Sequence, residues 1–202
     1  MTPGVVGEIT SFEVAACGVV LGSIPFGLLL TRAAGLGDIR AIGSGNIGAT
    51  NVLRTGRRGL AAATLLLDAA KAAAAVLLTQ AVFGAAWMPL AAFCAVVGHC
   101  YSPWLGFKGG KGVASFLGAM IALDWRLGAA SCAAWLVGAF SVRISSVGAL
   151  AACVAAPVAA YGLLPAWWWV AVAATSLLVV RRHAANIGRL LTGQEPRFGG
   201  GK

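Results

Sequence analysis

The fold class the sequence predicts is all-α: a polytopic integral membrane protein with seven transmembrane helices, one of them short. Its N-terminus is expected outside and its C-terminus in the cytoplasm. Three observations predict it. First, 59% of the 202 residues are hydrophobic and 10% are charged, against about 25% charged in a soluble domain; mean hydropathy is +0.87. Second, long stretches carry no charge at all. Third, the cations fall on one side of the predicted crossings. A soluble globular enzyme and a disordered chain are excluded by this composition. So are a collagen and a disulfide scaffold, because the 28 glycines lack a period and the 5 cysteines form no CxxC pair. Cys17, Cys94, Cys100, Cys132 and Cys153 read as small buried hydrophobes, and residues 1–202 as one membrane-embedded domain.

The uncharged runs are 14–31, 72–107, 112–123, 127–142 and 144–180. A crossing needs about 20 residues, so the two longest runs each fold as a helical hairpin. Their turns are expected at 83–86 and 162–165. The first hairpin must borrow residues back to Gly59, which draws Asp68 and Lys71 into the membrane. These two sit at i, i+3 on one helix face and can neutralise each other. Such a pair either fixes helix packing or marks a functional site. The run 112–123 is a half-helix or a short crossing, tolerated where protein shields it. The expected spans are 14–32, 59–82, 86–102, 112–123, 127–142, 145–162 and 165–182. No cleavable signal peptide is expected, since Glu8 and Glu13 precede the first apolar run and a basic leader is missing.

Charge sets the orientation. One side collects Arg32, Arg40, Arg54, Arg57, Arg58, Lys108, Lys111, Arg143, Arg181, Arg182, Arg189, Arg197 and Lys202; the other holds Arg126 with Glu8, Glu13 and Asp124. Cytoplasmic loops gather Lys and Arg, so the first side faces the cytoplasm. The net charge of +9 is accounted for in this way, and no nucleic-acid partner is expected.

The polar residues fall into four pieces on that side. Residues 38–54 interleave Gly43, Gly45 and Gly48 with Ser44, Asn46, Thr50 and Asn51, flanked by Arg40 and Arg54. Glycines let the backbone approach a ligand, and arginine suits phosphate or carboxylate. Residues 98–114 contain Gly109-Gly110-Lys111-Gly112 opening a helix. Successive backbone N–H groups, a helix N-terminus and a lysine make an anion site. The spacing is not that of a Walker A loop, so a phosphate is expected without nucleotide hydrolysis. Arg143, Ser145 and Ser146 form a weaker third piece. The fourth, 181–196, places His183 and Asn186 on one face, where His183 is a donor to phosphate or a general base. No GxSxG elbow, no HxxxxD signature and no metal-ligand set occurs, so no metal or cofactor is expected.

Together GSIPFGLLLTR (22–32), GSGNIGATNVLR (43–54), GHCYSPWLGFKGGKGVA (98–114) and RRHAANIGRLLTGQE (181–195) closely resemble the bacterial acyl-phosphate:glycerol-3-phosphate acyltransferase family, and Asp68 and Lys71 match its DxxK helix. The resemblance implies a seven-helix inner-membrane enzyme without cofactor. It implies transfer of a fatty acyl group from acyl phosphate to the 1-hydroxyl of glycerol-3-phosphate, giving lysophosphatidic acid and phosphate for phospholipid synthesis. It also implies a soluble phosphate acyltransferase as partner. Ser44, Asn46, Thr50, Asn51 and Arg54 match the family's first loop; Gly109, Gly110, Lys111 and Gly112 match its phosphate loop; His183 and Asn186 match its C-terminal site. Ser146 fits one family serine, while the second falls on Ala149.

On this reading Lys111, its loop amides and Arg54 hold phosphate charge, and Asn46, Asn51 and Asn186 orient the acceptor. The base is His183 or the substrate phosphate. A lipid transporter and a lipid-binding scaffold are the rival readings. The first wants polar groups at the bilayer midplane; the second leaves the Asn, Ser and Gly content unexplained.

Overall fold

The computed structural model describes residues 3–198, and all of the regular structure among them is helical. The elements are α1 (Pro3–Ser23), α2 (Phe26–Ala33), α3 (Ala49–Leu53), α4 (Arg58–Phe83), α5 (Met88–Cys100), α6 (Val113–Leu123), α7 (Trp125–Val142), α8 (Ser145–Leu163), α9 (Ala166–Arg182) and α10 (Ala184–Leu191). Among the described residues, five stretches are long and apolar enough to cross a membrane: Gly7–Ala33, Arg58–Phe83, Ala85–Leu105, Trp125–Val142 and Ser145–Leu163. α9 has 17 residues and α6 has 11. At about 1.5 Å per residue, α6 reaches about half of a hydrocarbon core. The turns fall where the uncharged runs place them, at Gly84 and at Leu164–Pro165.

One expectation is corrected. The first span was expected as a single helix over 14–32; it begins at Pro3 and is broken between Ser23 and Phe26. Proline lacks the N–H that would continue the ladder and pushes its predecessor out of the α region. The break takes the Ser23 and Ile24 carbonyls out of the helix ladder, and both find donors from elsewhere, Ile24 O in addition to the Phe26 amide at 3.1 Å. Ser102 Oγ donates to Ser23 O at 2.8 Å, and Lys71 Nζ donates to Ile24 O at 2.6 Å. Trp104 Nε1 adds a bond to Ser23 Oγ at 2.8 Å.

Small residues bring the helices together. α1 lies along α5, α4 on α6, and α7 on α8. A Cβ on Gly22 would collide with the Ala95 backbone, one on Gly98 with Val19 O, and one on Gly118 with Ala69 O. Close backbone approach is the main source of helix association where lipid is as apolar as leucine. Phe116, Met120, Leu127, Val76 and Val96 fill the interior. Large apolar side chains instead cover the outside: Leu66, Val137, Val158 and Leu177 are all more than two-thirds exposed. A smaller cluster of Leu28, Ile39, Ile47, Val52 and Leu105 seats the 38–54 loop on α2 and α4.

Candidate active site

The 38–54 segment is an ordered loop. Asp38 caps the turn at 39–41 and pairs with Arg40 and Arg32. The Arg40 guanidinium beside it holds its carboxyl well below the usual carboxylate range. Asn51 organises the rest. Its Nδ2 reaches the carbonyls of Ile39 (3.0 Å), Ile42 (3.0 Å) and Asn46 (2.8 Å). Its Oδ1 accepts from Ser44 N at 3.0 Å and Ser44 Oγ at 3.3 Å. The sequence pointed Asn51 at the acceptor; the structure saturates both ends of its amide within the loop and buries it to 2% exposure. Asn46 Oδ1 accepts from Gly48 N at 2.9 Å. Gly43 has φ +57°, and a Cβ there would come within 2.9 Å of Arg54 Cδ. Arg54 thus folds back over the loop. Thr50 lies exposed on α3.

The 109–112 loop differs from the expected nest of free amides. Gly109 N donates to Cys100 O at 3.2 Å and Gly110 N to His99 O at 3.1 Å, so these two N–H groups are occupied within the protein. Their carbonyls are occupied too: Arg182 Nε donates to Gly110 O at 3.1 Å and Arg182 Nη2 to Gly109 O at 3.0 Å. Arg182 is itself stacked over Tyr101, 5.2 Å from the ring centroid. The loop's open donors are the Lys111 ammonium and the amides at the start of α6, whose first turn has no intrahelical acceptors. Gly112 occupies the left-handed region at φ +87°, packed against Cys100 Sγ. That conformation turns the chain into α6.

The third and fourth pieces meet through a residue that sequence reasoning did not select. Gly193, at φ +70°, turns the chain after α10, and Gln194 N closes the turn on Arg189 O at 2.7 Å. Glu195 Oε1 then accepts from Ser146 Oγ at 2.7 Å and from Asn186 Nδ2. Its Oε2 accepts from Arg189 Nε at 2.7 Å. Burial alone would raise this carboxyl, but the bonds from Asn186, Ser146 and Arg189 bring it below the ordinary value. A signal was present: Glu195 is the one acid among Arg181, Arg182, Arg189 and Arg197.

Lys111 sits among these groups. Burial lowers its ammonium below the usual lysine range; Glu195 opposes this, while Arg189, Arg54 and Arg182 add to it. Four cations therefore converge with one carboxylate, an arrangement suited to a polyanion.

His183 is 2% exposed. Its Nδ1 donates to Val179 O at 2.8 Å, because a carbonyl can only accept. The ring hydrogen is therefore on Nδ1, and in the neutral ring the lone pair is on Nε2. Burial, opposed by the Val179 bond and reinforced by Lys111 and Arg182, holds its pKa below the ordinary histidine value. Asn186 is 4% exposed. Glu195 accepts from its Nδ2, and its Oδ1 is buried with no partner. An open groove of ≈ 420 Å³ lies beside the helix break, lined by Val20, Ile24, Pro25, Leu28 and Leu29 with Arg32, Arg40 and Trp104.

Fold and site define a membrane-embedded protein that gathers cationic side chains near a buried histidine and asparagine. The glycerol-3-phosphate acyltransferase family model matches residues 13–193. The chain is 55% identical over 185 residues to a glycerol-3-phosphate acyltransferase of Paramagnetospirillum magneticum, covering 92% of each chain. It is 58% identical over 189 residues to that of Gluconobacter oxydans, covering 88% of each. It is also similar to the crystal structure of PlsY, an integral membrane glycerol 3-phosphate acyltransferase, in its glycerol 3-phosphate form. That likeness has a TM-score of 0.88 and 33% identity, covering 94% of this chain and 96% of the other. The lysophosphatidic acid form gives 0.86 and 32%. The chain belongs to the glycerol-3-phosphate acyltransferase family.

Proposed function

We propose that the protein transfers a fatty acyl group from acyl phosphate to the 1-hydroxyl of glycerol-3-phosphate, releasing lysophosphatidic acid and inorganic phosphate. The observation that carries this reading is Asn186 Oδ1, a buried acceptor without a partner, beside His183 with an open Nε2 lone pair. Two acceptors three residues apart suit the two hydroxyls of glycerol-3-phosphate, one held by Asn186 and the other deprotonated at His183. Lys111 and the three arginines around it suit phosphate groups on both substrates, and the crystallised relative bears glycerol 3-phosphate in one form and lysophosphatidic acid in another.

The chemistry needs little covalent help, because acyl phosphate is a mixed anhydride. The acceptor oxygen bonds to the acyl carbon, the bond from that carbon to the phosphate oxygen breaks, and phosphate leaves with the electron pair. The hydroxyl proton goes to His183 Nε2 or to a substrate phosphate oxygen. Lys111, Arg54 and the first-turn amides of α6 stabilise the developing charge. Asn46 helps to hold the acceptor. Ser44, Thr50, Gly109, Gly110 and Gly112 shape the two loops around the substrates. Ser146 acts on Glu195 and, through it, on Asn186. The groove beside Pro25 gives the acyl chain an apolar bed.

Residues 1–202 form one domain crossing the inner membrane seven times, with α6 as the short crossing and the site facing the cytoplasm. In that topology Trp87, just before α5, and Trp125 and Trp167, in the first turns of α7 and α9, share the external side as an aromatic belt. A soluble enzyme that makes acyl phosphate is the expected partner.

The test is phosphate release by purified protein given acyl phosphate, with and without glycerol-3-phosphate. Acceptor-dependent release with lysophosphatidic acid formed supports the reading. Well-folded protein silent with both acyl phosphate and acyl-CoA overturns it.

A further inference from the structure

Beneath the 109–112 loop lies a polar group that the reaction above does not use. Asp68 on α4 is 1% exposed, Lys71 one turn later 5%, and His99 at the end of α5 3%. The Lys71 ammonium has three N–H groups and three acceptors. They are Asp68 Oδ1 at 2.7 Å, Ile24 O at 2.6 Å and His99 Nδ1 at 3.0 Å. An ammonium can only donate, so it occupies the lone pair of Nδ1. The ring is then the neutral tautomer with its hydrogen on Nε2.

That Nε2 edge lies against the loop. A Cβ on Gly110 would collide with His99 Nε2, and one on Gly109 with His99 O. The His99 and Cys100 carbonyls hold the Gly110 and Gly109 amides. On the far side of the loop, Ser115 Oγ donates to Asp68 O at 3.0 Å, which ties α6 to the helix that carries the ion pair. Ile24 O is available only because Pro25 breaks α1 from α2. Three separate elements thus converge on one ammonium, and its third bond fixes the ring that supports the loop.

We propose that Asp68, Lys71 and His99 are positioning residues: Lys71 locks the tautomer and orientation of His99, and the His99 ring holds Gly109 to Gly112 so that Lys111 and the first turn of α6 present their donors to phosphate. The proposal rests on the acyltransferase reading of that loop. Packing alone would not require it. A buried ion pair replaced by apolar residues of similar volume commonly keeps its fold, whereas a loop displaced by about 1 Å costs about 100-fold in rate.

The experiment uses full-length protein in detergent. Asp68→Leu/Lys71→Met removes both charges; His99→Leu removes the ring's polarity; His99→Gln keeps a donor and an acceptor. For each folded variant, kcat and KM for glycerol-3-phosphate are measured with acyl phosphate as donor, and glycerol-3-phosphate affinity by calorimetry. The double variant is expected to lose about 100-fold in kcat/KM and to bind glycerol-3-phosphate about tenfold more weakly. His99→Gln should recover most of what His99→Leu loses. Nitrogen NMR of the wild type should show His99 protonated on Nε2, and the double variant should lose that single-tautomer signature. A folded double variant within about twofold of wild type overturns the proposal. Should that variant not fold, equal activity of the Gln and Leu variants overturns it instead. If the wild type transfers no acyl group, the acyltransferase reading fails separately. Unchanged binding of glycerol-3-phosphate and inorganic phosphate across the same variants would then overturn the positioning role.

Discussion

Two buried asparagines divide the loop at 38–54 from the C-terminal turn at 183–195. Asn51 uses every hydrogen-bonding position of its amide on its own loop. Asn186 uses only its nitrogen, on Glu195, and leaves a buried oxygen with nothing to accept. A buried polar atom without a partner costs about 1–3 kcal/mol, and on the proposed function a substrate hydroxyl supplies the missing donor. Residue type and burial are alike at the two positions. On the proposed function, the unfilled hydrogen-bonding capacity separates the residue that builds the site from the residue that would use it.

The predictions test that division, from the largest effect to the smallest. Lys111→Ala should lower kcat by about 100- to 1,000-fold, as expected when a charge that stabilises a transition state is removed, with thermal unfolding little changed. Loss of folding in step with activity would merge the two regions. Asn186→Ala should cost on the order of 10- to 100-fold in kcat/KM, again with the fold retained. Asn51→Ala should reverse the pattern. It removes the amide's bonds to the Ile39, Ile42 and Asn46 carbonyls, leaves Ile39 O and Ile42 O one backbone donor each, and should destabilise by about 1–3 kcal/mol, measured by thermal unfolding, before activity per folded molecule changes.

Glu195→Gln sharpens the comparison through pH. Glu195 raises the Lys111 pKa against burial and the neighbouring arginines. Without it the ammonium loses its proton at lower pH, and the alkaline limb of kcat/KM moves toward acid. In the wild type, the lowered Glu195 pKa gives stability that is present above the unfolded carboxylate value and lost as pH falls through the folded one. Acid should therefore release the C-terminal turn, seen as faster proteolysis after α10. His183 predicts an acid limb below the ordinary histidine value, since its neutral form carries the open lone pair. A profile of His183→Ala with unchanged shape removes it as the titrating base. Ser146→Ala should cost only a few fold in kcat/KM, because Asn186 and Arg189 still hold Glu195.

Much of the fold was legible because membrane helices are written in uncharged length. The hairpin turns at 84 and 164–165 follow from two runs too long for one crossing. Proline shows where that legibility stops. Pro157 lies inside α8, which continues through it; Pro25 breaks its helix. The local chemistry is the same. At Pro25 the freed carbonyls are met by Ser102 and Lys71, residues 79 and 47 positions away, and no local pattern reports that.

The site was legible as four polar pieces but not as a circuit. Lys111, His183 and Asn186 stood out by residue type. Their coupling to Glu195, Arg182 and His99 depends on contacts between distant segments. The free-amide picture of Gly109 and Gly110 missed that the backbone of α5 would claim both N–H groups.

The attachment of Glu195 to Ser146 spans 49 residues and follows every helix it ties together. Synthesis proceeds from the N-terminus at about 5–20 residues per second, so the helices emerge before the carboxylate that joins them. Until it arrives, Asn186 has no partner for its nitrogen, and Arg189 and Lys111 face each other without a counter-charge. A chain that has emerged only as far as α10 holds both loops but lacks the bonds from Ser146, Asn186 and Arg189 that close the C-terminal turn.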